Sequence, residues 1–275
     1  MSQGNYISVN GSFVPATDYR ISLNESDDFL FSVKIRSVRS AFPFFGESLK
    51  MIKLNFLLFN QVYPELTESD GAELKRQMER TLTKNKQFMG SILTIRFWGS
   101  EQKVNYSIQS EKLESINYQL NTNGLYVAVF PEIKKAAGSL SNSAPGSELY
   151  WKLAEIHLKG SSFDQFMILN TEDLIVEAIR SNIYLIKRNT VFGASVQQGA
   201  FADITKPMML TIFEQLKLSY SENDGITMQN LLDADEILLV NAISGIQWVV
   251  GFEGKRYFNN VIRKINDLFV RSLTN

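Results

Sequence analysis

The sequence predicts an α+β fold in two domains, and three observations carry that expectation. The chain opens on a hairpin signal, and its centre holds three closely spaced strands. Between them lies a stretch of small residues and prolines that reads as a linker. At 275 residues there is material for one large domain or two of ordinary size. We expect residues 1–121 to form an N-terminal α/β domain, and residues 122–275 to form a C-terminal domain that includes the linker.

Taken in order, strands at 6–9 and 12–14 flank Asn10-Gly11, a pair that accepts the positive φ angles of a type I′ turn. Residues 47–59 read as a helix with Leu49, Ile52, Phe56 and Phe59 on one face, widened by Leu54, Leu57 and Leu58. A second helix is expected at 69–85, capped by Ser69, with Leu74, Met78 and Leu82 along its apolar side. Strands follow at 92–98, 104–110 and 125–130. The linker PEIKKAAGSLSNSAPG occupies 131–146. Next comes a helix at 147–159, capped by Ser147, with Leu149, Leu153 and Ile156 expected inward. Strands at 166–169, 174–178 and 182–187 are separated by polar turns. After a loop at 193–203, Thr205 is expected to cap a helix with Pro207 in its first turn and Leu210, Ile212 and Phe213 inward. A strand ends at Asn241, and the amphipathic helix 259–272 closes the chain.

Composition narrows the function classes. A net charge of −1 and a pI near 6 give no electrostatic case for binding nucleic acid or an anionic membrane. There are no cysteines, which excludes thiolate chemistry, and the single histidine, His157, excludes a multi-histidine metal centre. We therefore expect no metal site. The first residues lack a basic segment followed by an apolar core, and no apolar run reaches the length of a membrane span, so a soluble cytoplasmic protein is expected.

One residue stands out chemically. Glu177 is an acid flanked by Leu174, Ile175, Val176, Ala178 and Ile179. A carboxylate in such a run is costly to bury unless a cation or a donor meets it. Periodicity alone leaves two readings open, a solvent-facing edge residue and a buried functional acid.

The order of hydrophobic strand, Asn170, acidic turn, Val176-Glu177 and Ser181-Asn182-Ile183-Tyr184 resembles the class IV family of pyridoxal-phosphate (PLP) aminotransferases. That family includes branched-chain and D-amino-acid aminotransferases and aminodeoxychorismate lyases. The opening Val9-Asn10-Gly11-Ser12-Phe13-Val14-Pro15 and the segment Ala234-Asp235-Glu236-Ile237 fit the same pattern. The resemblance implies the family's two-domain α+β fold with the cofactor-site cleft between the domains. It also implies a homodimer, PLP as cofactor and a small-molecule ligand. By the same resemblance Glu177 would pair with the protonated pyridine nitrogen, keeping the ring an electron sink. Ile204 and Thr205 would hold the phosphate at a helix N-terminus, and Ser244 would stand nearest the phosphate-binding hydroxyl of the family.

Other family positions differ. The phosphate arginine corresponds to Ile52, and the glycine before Ile204 is Asp203, an acid that would repel phosphate or cap the helix. Counting back from Asn170, the position of the Schiff-base lysine is Ala144. No other side chain both forms the Schiff base and shuttles the proton of the substrate. The nearest lysines are Lys152, too far along its helix, and Lys135, in the linker, which a loop could bring near. The resemblance thus implies a diverged class IV protein without standard PLP transamination. Two alternatives stand beside it: an active aminotransferase or aminodeoxychorismate lyase using a displaced lysine, and a non-enzymatic binding module unrelated to PLP.

Overall fold

A computed structural model describes residues 2–21, 29–100, 103–222 and 225–273. The chain divides into two compact units, Met1–Asn117 and Tyr118–Asn275.

The first unit is built on one antiparallel sheet. Its strands are β1 (Ser2–Gln3), β2 (Tyr6–Val9), β3 (Ser12–Pro15), β4 (Phe29–Val38), β5 (Gly90–Ser100) and β6 (Lys103–Lys112). They run in the order β3-β2-β6-β5-β4, with β1 added along β6. Asn10 and Gly11, at φ 47° and 81°, make the expected turn between β2 and β3. Along β4, Phe29, Phe31, Val33 and Ile35 are buried while Leu30, Ser32 and Lys34 are exposed, the alternation of a sheet covered on one face. The cover is α1 (Phe45–Leu58), α2 (Pro64–Thr67) and α3 (Ala72–Lys84). Phe56 of α1 meets Phe31 and Phe97 edge-on at 5.0 Å, which centres an aromatic core.

Two expectations are corrected here. On α1 the buried set is Ser48, Leu49, Ile52, Asn55 and Phe56, whereas Leu54 and Leu57 are 62% and 63% exposed and do not widen the core. Ser69 does not cap the following helix. Ser69, Asp70 and Gly71 all take left-handed backbone, at φ 52°, 55° and 71°, and α3 begins only after them. Gly71 has a second constraint, because a Cβ there would lie 2.9 Å from Leu49 Cδ2.

The second unit holds a mixed sheet with β7 (Leu125–Val129), β8 (Gln165–Leu169), β9 (Ile175–Ala178), β10 (Asn182–Lys187), β11 (Thr190–Gly193), β12 (Ser219–Ser221), β13 (Glu236–Asn241), β14 (Gly245–Phe252) and β15 (Lys255–Arg256). The order is β12-β11-β10-β13-β14-β7-β8-β9, with β15 on β14. β7 runs parallel to both β14 and β8. β9 and β10 sit far apart in this order, yet a turn at Ile179-Arg180, closed by an Ala178–Ser181 bridge, joins them, so the sheet curls. Strands β9, β10 and β13 are buried almost throughout, as continuous apolar runs require. The helices are α4 (Ala144–Leu158), α5 (Lys206–Gln215), α6 (Met228–Asp233) and α7 (Asn260–Ser272). On α7 the residues Ile262, Ile265 and Phe269 face in, as the amphipathic pattern predicts.

The helix expected at 147–159 differs in start and in facing. It begins at Ala144, with Ser143 as the cap accepting from the Gly146 N–H at 3.2 Å. Ser147, Trp151 and Ala154 are buried, while Leu149 and Ile156 are 65% and 62% exposed. The reason lies in the polar contacts of that helix.

Candidate functional site

Glu177 lies on β9 opposite Ile168 of β8, and both Glu177 and its neighbours Val176 and Ala178 are inaccessible to solvent. Three donors from three separate segments meet its carboxylate. The Lys135 ammonium donates to Oε2 at 2.8 Å, the Phe201 N–H to Oε2 at 2.8 Å, and the Trp151 indole N–H to Oε1 at 2.8 Å. A buried acid is tolerable here because a cation and two further donors replace the water it has lost.

Lys135 arrives from the linker. The chain leaving β7 continues beside β8, with the Phe130 N–H on the Met167 carbonyl and the Lys135 N–H on the Leu169 carbonyl at 2.8 Å each. That pins the backbone of Lys135 next to Asn170, and its side chain reaches Glu177 from there with 0% exposure. Asn170 shapes the far end of β8, its Oδ1 accepting from the Glu172 and Leu174 N–H groups. The Lys135 ammonium has a second acceptor in Ser147 Oγ at 2.9 Å, and Ser147 in turn donates to the Ser141 carbonyl at 2.7 Å. Burial pushes the Lys135 amine down and the Glu177 carboxyl up, and their mutual attraction opposes both shifts.

α4 is docked through this cluster. Trp151 turns its indole nitrogen to Glu177, and the Arg180 guanidinium lies 5.2 Å from the centre of the Trp151 ring. Arg180 also donates to Glu148 at 2.8 Å and to Glu155 at 2.6 Å, both on α4. These contacts fix which side of the helix faces the sheet: Leu149 and Ile156 are left outward, while Leu153 packs partly buried against the core.

A second buried carboxylate lies at the start of α5. Asp203 Oδ1 accepts from both the backbone N–H and the hydroxyl of Thr205, at 2.6 and 2.5 Å. The Thr205 side chain therefore does not cap the helix itself; Asp203 takes up its donors. Burial pushes the Asp203 carboxyl up to about 6, against the pull of the two Thr205 hydrogen bonds. Beside it, the Lys206 ammonium pairs with Glu222 at 2.5 Å, and the Tyr220 hydroxyl donates to the same Glu222 oxygen at 2.8 Å.

The remaining expected positions are placed as follows. Ile204 is half-buried just before α5. Ser244 is exposed in the turn after β13, its N–H bonded to Asn241 Oδ1 at 2.7 Å. Ala144 is the first residue of α4 and carries only a methyl group. Ile52 is fully buried in the core of the first unit. Among the described residues, no group of three or more His, Cys, Asp and Glu could hold a metal ion, and no helix is long and apolar enough to cross a membrane.

The residues present do not fit PLP in this arrangement. A pyridine ring bound by an acid at its nitrogen and by a lysine at the aldehyde across the ring must lie between the two groups. Here the ammonium and the carboxylate are in direct contact at 2.8 Å. At the other end, the Thr205 donors that would meet a phosphate are bound to the chain's own carboxylate, whose charge would repel one.

Sequence reasoning singled out Glu177, Ile204 and Thr205, and named Lys135 only as the lysine a loop could bring close. It assigned Ser147 as a helix cap and gave Trp151 no role. A signal for Trp151 was present: Ser147 and Trp151 are four residues apart, so a helix places them on one face.

The family model for amino-transferase class IV matches residues 67–251. A probable branched-chain-amino-acid aminotransferase of Aquifex aeolicus is 25% identical over 135 residues, covering 49% of this chain and 41% of that protein. A D-alanine aminotransferase of Bacillus licheniformis is 27% identical over 97 residues, 35% of this chain and 33% of its own. The chain thus spans less than half the length of these curated relatives. Among solved structures, a branched-chain aminotransferase of Thermoproteus uzoniensis has a TM-score of 0.82 at 17% identity, covering 98% of this chain and 95% of that one. An aminotransferase of Brucella abortus bound to PLP has a TM-score of 0.80 at 13% identity, covering 98% and 99%. These likenesses show the fold.

Proposed function

The chain belongs to the class IV aminotransferase family, and within it we propose that this protein is a diverged member that does not carry out standard PLP transamination. The observation that supports this reading is the direct Lys135–Glu177 contact at 2.8 Å, which puts an amine where a protonated ring nitrogen would meet the acid. Ala144, where the resemblance places the family's lysine, and the Asp203–Thr205 contact support the same reading. In this reading Glu177, Ile204, Thr205 and Ser244 are remnants of a cofactor site, and the protein serves as a binder of a small molecule. The test is a spectral titration of purified protein with PLP, followed by an assay with a panel of L- and D-amino acids and aminodeoxychorismate. We expect no saturable aldimine band and no turnover; a saturable band with turnover would overturn the reading.

A second reading, favoured by the same lysine, is an active aminotransferase or lyase in which Lys135 replaces the missing amine. Burial drives that amine toward the neutral form that Schiff-base formation needs. It requires the Lys135–Glu177 contact to open, and the titration separates the two readings. A homodimer in the cytoplasm accompanies either one. Its support is the exposed apolar set Leu54, Leu57 and Val62 on and just after α1, and sedimentation as a monomer at micromolar concentration would rule it out.

A further inference from the structure

We propose that Glu177 and Ser147 form a preformed receptor for a primary ammonium group, filled in this protein by Lys135, so that any ligand entering it must present an organic cation in place of that amine. The inference deepens the reading above and rests on it.

The two acceptors are aimed without help from the lysine. Glu177 Oε1 is held by the Trp151 indole and Oε2 by the Phe201 backbone N–H, groups on α4 and on the loop before α5. The Ser147 hydroxyl spends its hydrogen on the Ser141 carbonyl, which leaves an oxygen lone pair as its offer to the ammonium. Two oxygens from different elements therefore converge on one point, at 2.8 and 2.9 Å from the same nitrogen. Trp151 is itself fixed from its other side by Arg180, so the receptor wall is held by an ion network that does not include Lys135. Lys135 enters from a separately anchored backbone, bonded to the Leu169 carbonyl. Removing its side chain takes away the occupant and leaves the receptor.

What remains is an uncompensated carboxylate in a dry site, which attracts a cation strongly when its hydrogen-bond geometry can be matched. The occupant must donate through N–H and must fit a slot the width of an alkyl chain. A neutral alcohol lacks the charge, and a quaternary ammonium lacks the donors. In Lys135→Ala the missing piece is a three-carbon alkylammonium, n-propylammonium.

The experiment measures thermal unfolding of Lys135→Ala with n-propylammonium chloride, against sodium chloride at equal ionic strength. We expect a saturable rise in Tm for this variant, following the logarithmic dependence of stabilisation on ligand concentration. No such rise is expected with tetramethylammonium, in the wild type, in Lys135→Met, whose side chain fills the slot, or in Lys135→Ala/Glu177→Gln. Should Lys135→Ala not fold alone, refolding yield with and without n-propylammonium gives the same readout. A response no larger than that to sodium chloride, or an equal response in the Glu177→Gln double variant, would overturn the proposal. The wild-type PLP titration decides the functional reading separately. An aldimine in the wild type together with rescue of Lys135→Ala would sink that reading and keep the receptor, and the reverse pair of results would do the opposite.

Discussion

Glu177 and Asp203 are both carboxylates buried in the second unit, and their surroundings could hardly differ more. Glu177 receives its donors from the linker, from α4 and from the loop before α5, and one of them is a cation. The Asp203 carboxylate accepts from the backbone N–H and the hydroxyl of one residue, Thr205, two positions along the chain. The first arrangement ties distant segments together and balances charge; the second closes a local turn and leaves its charge unbalanced. Breaking the first is therefore expected to damage the fold, whereas neutralising the second should help it.

The largest effect is expected from removing one member of the balanced pair. Lys135→Met strands a buried carboxylate, and we expect a loss of about 3–5 kcal/mol in unfolding free energy by denaturant titration. Adding Glu177→Leu removes the stranded charge, and the double variant should recover most of that loss. If the two substitutions added independently, the pair would not be coupled and the comparison would fail.

Asp203→Asn should act in the opposite direction and by less. The Asn oxygen can still accept from Thr205, but the uncompensated charge is gone. A folded-state value of about 6 against the ordinary 3.8 means that the folded protein holds this proton more tightly than the unfolded chain. Ionisation of Asp203 therefore disfavours the fold above about pH 6, and its contribution to stability is regained as pH falls toward 4. The variant should exceed the wild type by about 3 kcal/mol at neutral pH, with the gap closing by pH 4. A gap that stays constant across that range would show that the charge of Asp203 is not its source.

Much of this fold was legible in the sequence. Asn10-Gly11 announced the hairpin, and the amphipathic pattern announced the last helix. Glu177 was conspicuous because apolar residues surround it. Its cation was hidden, since Lys134 and Lys135 sit together in a stretch without periodicity. In the folded chain they part company: Lys134 pairs with Asp173 at 2.6 Å and is 46% exposed, while Lys135 is wholly buried. The facing of α4 was misjudged for a related reason. An apolar-inward template chose Leu149 and Ile156, but contacts of Ser147, Trp151, Glu148 and Glu155 with residues remote in sequence outweigh that preference. Such partners are set by the tertiary fold; the local spacing shows only that Ser147 and Trp151 share a face.

In the reading proposed above, the Lys135 amine, 2.8 Å from Glu177, belongs to that carboxylate and is not available to an aldehyde cofactor. The most direct measurement is to incubate the full chain with excess PLP, reduce with borohydride, and map pyridoxylated lysines by mass spectrometry. We expect partial, scattered labelling of exposed lysines such as Lys152 and none at Lys135. Stoichiometric labelling at Lys135, lost in Lys135→Met, would contradict it.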